Sequence, residues 1–307
     1  MVHVAIACDH IYTKMTKMCI YDIIIRKNKD TELTFYVLGN NLKEQVKEFE
    51  IFNKIPGVKV IVINMDGDKL IHRDISNNWM THPRITKTTY FRFMIPTLPQ
   101  CAEAKRVLYI DSDMLCRKDI TALFNTPFEQ PLAMVRDSYF IRNPDYEKEM
   151  KSLHYGWNAG LILMDLQKLR ELNFTKICMD RANNIPHNDQ AIINDTFGGN
   201  VYSLPPTAQL IIHHIAVHFP RMNDINCWNE FHSTTYQSID EMVSQAVFYH
   251  LLGRKDRQLA IPFLKTIWDE WEERLHRFEE TKVVEWATQE MDERIETIFA
   301  TEIKKQA

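Results

Sequence analysis

Short apolar runs recur through the first two thirds of the chain, and the longer stretches between them carry apolar residues near helical spacing. This alternation predicts an α/β fold with a mostly parallel, Rossmann-like central sheet flanked by helices. The predicted strands are residues 2–7, 33–38, 58–63, 107–110, 132–135, 160–164, 201–204 and 246–250. The first two helices are predicted over residues 14–28 and 42–53.

The pattern changes near residue 261, where Glu, Lys, Arg and Trp become dense. This change predicts two parts, an α/β domain over residues 1–258 and a C-terminal helical extension over residues 259–307. The apolar residues that share one helical face of the extension are Trp268, Trp271, Leu275 and Phe278. We expect this face to pack on the domain or on a second subunit, which leaves a homo-oligomer through the C-terminal helices open.

The composition is that of a folded protein, since 45% of the 307 residues are hydrophobic and 25% are charged. The net charge is −4, so no overall positive field would attract nucleic acid, and we expect no nucleic acid partner. Residues 269–307 contain twelve acidic and six basic side chains. This balance predicts at most peripheral contact with an anionic membrane.

The N-terminal sequence lacks the features of a signal peptide, and no apolar stretch reaches the ~18 residues that a membrane span needs. The six cysteines are scattered, with no CxxC pair, which argues against a zinc knuckle and a disulfide framework. We therefore expect a cytoplasmic protein with free thiols, whose membrane contact, where it occurs, is peripheral and at the inner face.

The turn after the first predicted strand contains no glycine, because residues 7–15 read ACDHIYTKM. A dinucleotide site would require G-x-G-x-x-G at this point, and the chain has no Walker A sequence either. If a nucleotide binds here, side chains and a metal must hold its phosphates.

Two carboxylates, Asp111 and Asp113, directly follow the apolar run 107–110. Ligands of open α/β sheets bind at the carboxyl ends of the strands, so this pair is a candidate site for a hard cation such as Mg²⁺ or Mn²⁺. His250 ends the run 246–250 and is a candidate third ligand. The structural alternatives are solvated acids at a strand end and a buried core histidine.

Seven short segments that carry polar residues occur in one order along the chain. They are Ile6–Asp9, Tyr12, Thr88–Arg92, Val107–Asp113, Trp157–Gly160, Asn188–Gln190 and Tyr249–Gly253. Together they resemble the family 8 retaining glycosyltransferases, which include bacterial lipopolysaccharide and lipooligosaccharide galactosyl- and glucosyltransferases and, more distantly, glycogenin. The resemblance covers about residues 1–255. It implies a GT-A fold, a UDP-hexose donor, a carbohydrate or other hydroxyl acceptor, and Mn²⁺ (or Mg²⁺) as cofactor.

Individual roles follow from the resemblance and from the chemistry of the side chains. The residues expected to bind the donor are Asp9, Tyr12, Lys87, Arg92, Asp111, Ser112, Asn158, Ala159, Asp189, Gln190, Gly253 and Lys255. Those expected to be catalytic are Arg92, Asn158, Asp189 and Gln190, and those expected to bind the metal are Asp111, Asp113 and His250.

Most of these assignments have a structural alternative. Asp9 and Asp189 are candidates for helix capping, Tyr12 for core packing, and Arg92 for a structural ion pair. The histidines His213, His214 and His218 lack an accompanying carboxylate, and we interpret them as structural or on the acceptor side.

The chain departs from the family pattern at two places. Ile11 stands where the family often has an asparagine, and the family's lysine followed by Pro-Trp is missing after Gly253, where Lys255 or Arg257 is the candidate replacement. An amide is a poor nucleophile, so for Gln190 we expect front-side attack by the acceptor rather than a covalent intermediate.

Two other functions stay open at this point. A GT-A-like nucleotidyltransferase would share the sheet and the acidic metal ligands, but the glycine-free turn argues against it. A nucleotide-sugar-binding protein without turnover would share every binding residue.

Overall fold

The computed structural model describes residues 1–40, 42, 45–65, 67–72, 86–142, 156–216, 220–251 and 262–281. Its strands are β1 Val2–Cys8, β2 Leu33–Gly39, β3 Val58–Asn64, β4 Arg106–Ile110, β5 Met114–Cys116, β6 Leu132–Arg136, β7 Trp157–Asp165, β8 Val201–Leu204, β9 Leu210–Ile211 and β10 Phe248–His250. Each of the eight predicted apolar runs overlaps one of these strands. The short strands β5 and β9 were not predicted.

The helices complete the α/β architecture. They are α1 Thr13–Arg26, α2 Val46–Glu50, α3 Gly67–Leu70, α4 Thr121–Phe124, α5 Tyr139–Arg142, α6 Leu166–Glu171, α7 Phe174–Asn184, α8 Asp189–Phe197, α9 Ile212–Ala216, α10 Ile225–His232, α11 Ile239–Gln245 and α12 Pro262–Thr281. A 3₁₀ helix spans Lys87–Thr97. No helix within the described ranges combines the length and the hydrophobicity of a membrane-spanning segment.

The main sheet has seven strands in the order β3-β2-β1-β4-β7-β6-β8. Strands β3, β2, β1 and β4 are parallel, and β7 runs antiparallel between β4 and β6. The residues that follow β1, β4 and β6 therefore lie at the same edge of the sheet as the beginning of β7. A backbone hydrogen bond joins β7 to the residue after β4 at this edge: the N–H of Asp111 donates to the carbonyl of Gly160 at 2.8 Å.

A second sheet of three strands, in the order β5-β10-β9, lies beside this edge. Strand β10 is antiparallel to β5 and pairs His250 with Met114, the residue after Asp113. It is also parallel to β9, where His250 pairs with Ile211. This small sheet brings the histidine to the acidic loop that follows β4.

The core lies on both faces of the main sheet. Alternate residues of β1 serve the two sides: Val4 and Ile6 join a cluster with α1 and α12, and Ala5 joins one with the 3₁₀ helix, α7 and α8. All six cysteines are free.

The C-terminal helix α12 packs on the domain of its own chain. Ile267, Trp268 and Trp271 are at most 1% exposed and belong to the cluster that contains α1, and Lys14 of α1 pairs with Glu272 at 3.1 Å. The side chains of Leu275 and Phe278, and the domain boundary at residue 258, lie outside the described residues.

Candidate functional site

The carboxyl edge of β4 carries a cluster of two carboxylates and an imidazole. The ligand atoms of Asp111, Asp113 and His250 all lie within 4.8 Å of one another. Nε2 of His250 is 3.2 Å from Oδ1 of Asp113 and 4.0 Å from Oδ2 of Asp111. Carboxylate oxygens and a neutral imidazole are ligands that Mn²⁺ and Mg²⁺ accept, so the donor set fits the expected metal.

The electrostatics of this cluster favour a positive charge. Burial lowers the pKa of His250, but attraction to Asp113 and Asp111 outweighs it and the pKa lies above the ordinary value. Burial raises the pKa of Asp111 above its ordinary value although Arg92 opposes the shift, and repulsion from Asp113 adds to it. A bound cation would relieve the repulsion between the carboxylates.

Arg92 lies on the 3₁₀ helix Lys87–Thr97 and bridges two acids of the site. Its side chain is 4% exposed, and it contacts Oδ1 of Asp111 at 2.9 Å and Oδ2 of Asp189 at 2.9 Å. It also donates to the carbonyls of Thr89 and Ala159. The structural ion pair expected as the alternative for Arg92 is therefore formed inside the candidate site.

A cavity of about 160 Å³ opens between the turn after β1 and the loop after β4. Its lining residues are Ala7, Asp9, Tyr12, Thr86, Thr88, Thr89, Arg92, Tyr109, Asp111, Ser112 and Asp113. The cavity is thus lined by five of the residues expected to bind a nucleotide donor, together with Asp113, a candidate metal ligand.

Asp9 both shapes the turn and lines the cavity. Its Oδ1 accepts from the N–H groups of Ile11 and Tyr12 at 3.0 and 3.1 Å, and its Oδ2 accepts from the hydroxyl of Thr86 at 3.3 Å. Asp9 therefore closes the turn that precedes α1, whose N-cap residue is Tyr12 and which has no side-chain cap. The helix capping expected as the alternative for Asp9 is not formed, and the carboxylate borders the cavity.

Asp189 begins helix α8 and is not its cap. The cap is Asn188, whose Oδ1 accepts from the N–H of Ala191 at 2.7 Å. Asp189 is 6% exposed and faces Arg92 instead. The first turn of the helix thereby directs Asp189 and its neighbour Gln190 toward the edge of the sheet.

A network of side-chain hydrogen bonds connects Gln190, Asn158 and Asp137. Gln190 accepts from the N–H of Ala159 at 3.1 Å and donates to Oδ2 of Asp137 at 3.2 Å, and Asn158 donates to the same Oδ2 at 3.0 Å. Asp137 was not predicted, although it follows the run 132–135 by two residues, much as Asp111 follows its own strand. This strand-end position was the signal that could have identified it.

Two further residues hold His250 in place. Nε2 of Gln209 lies 2.7 Å from Nδ1 of His250. A Cβ at Gly160 would lie only 2.4 Å from Cε1 of His250 and 3.0 Å from Oδ1 of Asn158, so only glycine leaves room for the ring. No sequence pattern singles out Gln209.

The remaining described candidates are His214 and Lys87. His214 contacts the hydroxyl of Ser138 at 3.0 Å, and Lys87 is half-buried at the start of the 3₁₀ helix. The structure does not describe the side chain of His213. It does not describe His218, Gly253, Lys255 or Arg257 at all.

Several known proteins are similar to this chain. Among curated proteins, glycosyltransferase GlyF of Streptococcus pneumoniae is 26% identical over 230 residues, which are 72% of this chain and 53% of GlyF. The lipopolysaccharide 1,3-galactosyltransferase of Salmonella typhimurium is 26% identical over 183 residues, 56% of this chain and 52% of that protein. The matches span about half the length of these relatives.

A solved structure of the galactosyltransferase LgtC, in complex with donor and acceptor sugar analogs, superposes with a TM-score of 0.66. The two sequences are 20% identical, and the match covers 89% of this chain and 96% of LgtC, which shows a shared GT-A fold. Residues 3–226, nearly three quarters of the chain, match the sequence profile described as Glycosyl transferase family 8. With the family's fold and its profile both present, the chain belongs to glycosyl transferase family 8.

Proposed function

We propose that this protein is a metal-dependent retaining glycosyltransferase that moves galactose or glucose from a UDP-hexose to a hydroxyl acceptor. One observation carries the proposal: the cavity that Asp9 and Tyr12 border on one side is bordered by Asp111 and Asp113 on the other. A nucleoside diphosphate has its base at one end and its charge at the other, and this cavity offers groups suited to each.

The residues that would hold Mn²⁺ or Mg²⁺ are Asp111, Asp113 and His250. When bound, the ion supplies positive charge that offsets the charge developing on the departing UDP. Arg92 is buried and contacts Asp111, so it would add a fixed positive charge beside the diphosphate of the bound donor.

The sugar would lie against the side-chain network around Asp137. Asn158 and Gln190 share Asp137 as a hydrogen-bond partner, and Asp189 pairs with Arg92. The two amides and the carboxylate would offer both donors and acceptors to sugar hydroxyls. The side-chain oxygen of Gln190 already accepts from Ala159, which further weakens it as a nucleophile.

We therefore infer front-side attack with retention of configuration. The bond between the acceptor oxygen and the anomeric carbon forms as the bond from that carbon to the phosphate oxygen breaks, and the acceptor proton passes to the departing phosphate oxygen. A trapped sugar on Gln190 or Asp189 would contradict this step.

The acceptor that we propose is a glycan of lipopolysaccharide or of another cell-surface polymer. Support comes from the 26% identity to a protein named lipopolysaccharide 1,3-galactosyltransferase. A panel of oligosaccharide acceptors, assayed with the donor that supports turnover, tests this part.

The direct test of the function is release of UDP from UDP-galactose and UDP-glucose in the presence of Mn²⁺. Asp113→Asn should lower the rate by about 10²-fold or more, because it removes a charged ligand of the metal. Asp240→Asn is the matched control, since Asp240 is exposed on α11 and does not line the cavity. If no UDP-sugar released UDP in a metal-dependent way, the proposed transferase activity would be contradicted. A nucleotide-sugar-binding protein without turnover would then be the remaining function.

A further inference from the structure

We propose that Asn194 is a positioning residue that holds the first turn of α8 against the beginning of β7. The turn carries Asp189 and Gln190, and the strand carries Asn158. These three residues are the groups that would bind the hexose, so the inference rests on the function proposed above. Asn194 itself lies outside the seven segments that resemble the family.

The side-chain amide of Asn194 makes four hydrogen bonds in a buried position. The residue is 2% exposed. Its Oδ1 accepts from the N–H groups of Gly156 and Trp157 at 3.0 and 2.9 Å. Its Nδ2 donates to the carbonyls of Trp157 and Gln190 at 2.9 and 2.8 Å. Both lone pairs of the oxygen and both hydrogens of the nitrogen are therefore used.

The orientation of the Asn194 amide is fixed, because all four partners are backbone groups. An N–H can only donate and a carbonyl can only accept, so exchanging the oxygen and the nitrogen would break every contact. The bond to Gln190, four residues earlier, is a common local contact within a helix. The other three bonds reach β7, which makes the side chain a bridge between the two elements.

The bridge fixes the backbone on both sides of the network around Asp137. The carbonyl of Gly156 accepts from the N–H of Asp137 at 2.6 Å. Oδ2 of Asp137 in turn accepts from Asn158 at 3.0 Å and from Gln190 at 3.2 Å. Loss of the bridge should therefore shift Asn158 and Gln190 relative to each other.

The nucleotide part of the site does not depend on this bridge. The lining residues of the cavity come from β1 and the turn after it, from residues 86–92 and from residues 109–113. The candidate metal ligands lie on the loop after β4 and on β10. A change at Asn194 should therefore affect the hexose and leave UDP binding intact, a split that a general loss of structure would not produce.

Two variants remove the bridge in different ways. Asn194→Asp is isosteric and keeps Oδ1, but it replaces the NH₂ group with an oxygen that faces two carbonyl oxygens. Asn194→Ser can still donate to the carbonyl of Gln190 within the helix, but its shorter side chain loses the bonds to β7. Asn184→Asp is the matched control, because Asn184 is exposed on α7 and makes the same local bond, to the carbonyl of Asp180 at 2.7 Å.

The measurements are the affinity for UDP in the presence of Mn²⁺ and the kcat of UDP release from UDP-galactose and UDP-glucose. Circular dichroism establishes that each variant is folded at the assay temperature. Both Asn194 variants should lower kcat by about 10- to 100-fold, because small displacements of reacting groups are that costly, and should keep the wild-type affinity for UDP. Asn184→Asp should change neither quantity.

Wild-type kcat in folded Asn194→Ser would overturn the inference. Equal losses of kcat and of UDP affinity would also overturn it, since they would indicate a general structural role, as would failure of both Asn194 variants to fold. If only Asn194→Asp fails to fold, Asn194→Ser decides the matter. A wild-type protein without metal-dependent UDP release would instead contradict the proposed function.

Discussion

Asp111 divides its two carboxylate oxygens between different neighbours. Oδ1 accepts from Arg92 at 2.9 Å and from the hydroxyl of Tyr109 at 2.8 Å, whereas Oδ2 lies 4.0 Å from Nε2 of His250. The guanidinium also lies 4.4 Å above the ring of Tyr109. This arrangement turns Oδ2 of Asp111 toward His250 and fixes Arg92 in the wall of the cavity.

Arg92→Lys should keep the positive charge yet lose the fork that reaches Asp111 and Asp189 together. We expect the free energy of unfolding to fall by about 1–3 kcal/mol, because buried acceptors lose their donors, and UDP release to fall by about 10²-fold. Urea unfolding and the UDP assay measure the two effects. Arg181→Lys, at an exposed pair with Asp195, is the control and should change unfolding by less than about 1 kcal/mol.

At the scale of elements, the long strands were predictable and the short ones were not. Each of the eight apolar runs overlaps a strand. For β1, β2, β4, β6 and β7 the reason is burial on both faces of the main sheet, which demands continuous apolar sequence. Strands β5 and β9 have three and two residues, too few to show a pattern. These short strands nevertheless bring His250 to the acidic loop.

The site was predictable only where a strand-end signal or the family pattern existed. Asp111 and Asp113 follow a predicted strand, and the prediction for His250 relied on the resemblance as well as on its strand end. Asp137 had the same kind of strand-end signal. Gln209 had none, because its position beside His250 depends on the pairing of β9 with β10, a tertiary contact that no local pattern records.

Helix α10 contains a histidine that should make stability depend on pH. His232 is 7% exposed, stacks on Trp228 with ring centroids 5.6 Å apart, and neither ring nitrogen has a hydrogen bond within the described structure. Burial, with repulsion from Arg136, lowers the pKa of His232 to about 3.

The unfolded chain binds a proton at His232 below about pH 6.5, whereas the folded chain does not bind it until about pH 3. The stability that this residue contributes is therefore complete above pH 6.5 and is lost as the pH falls toward 3. We expect a loss of about 2 kcal/mol between pH 7 and pH 5 that His232→Phe abolishes. Urea unfolding at the two pH values measures it, and equal pH dependence in both proteins would contradict the expectation.

At the scale of the whole molecule, the C-terminal helix is part of the core. Trp271 is fully buried in the cluster shared with α1. Trp271→Ala should lower the free energy of unfolding by about 3–5 kcal/mol, and Lys265→Ala on the exposed face of the same helix by less than about 0.5 kcal/mol. Denaturant unfolding compares them, and similar small losses would mean that α12 packs only loosely.

The fold as a whole gathers five segments at one edge: the ends of β1, β4 and β6, the beginning of β7, and the small sheet that carries His250. The central claim is that Asp111, Asp113 and His250 at this edge bind the cation that holds a nucleotide diphosphate. Anomalous diffraction from crystals grown with Mn²⁺ and UDP tests it most directly. We predict one strong manganese peak among these three side chains, beside the cavity bordered by Asp9 and Tyr12. A peak elsewhere, or bound UDP with no peak at these residues, would contradict the account.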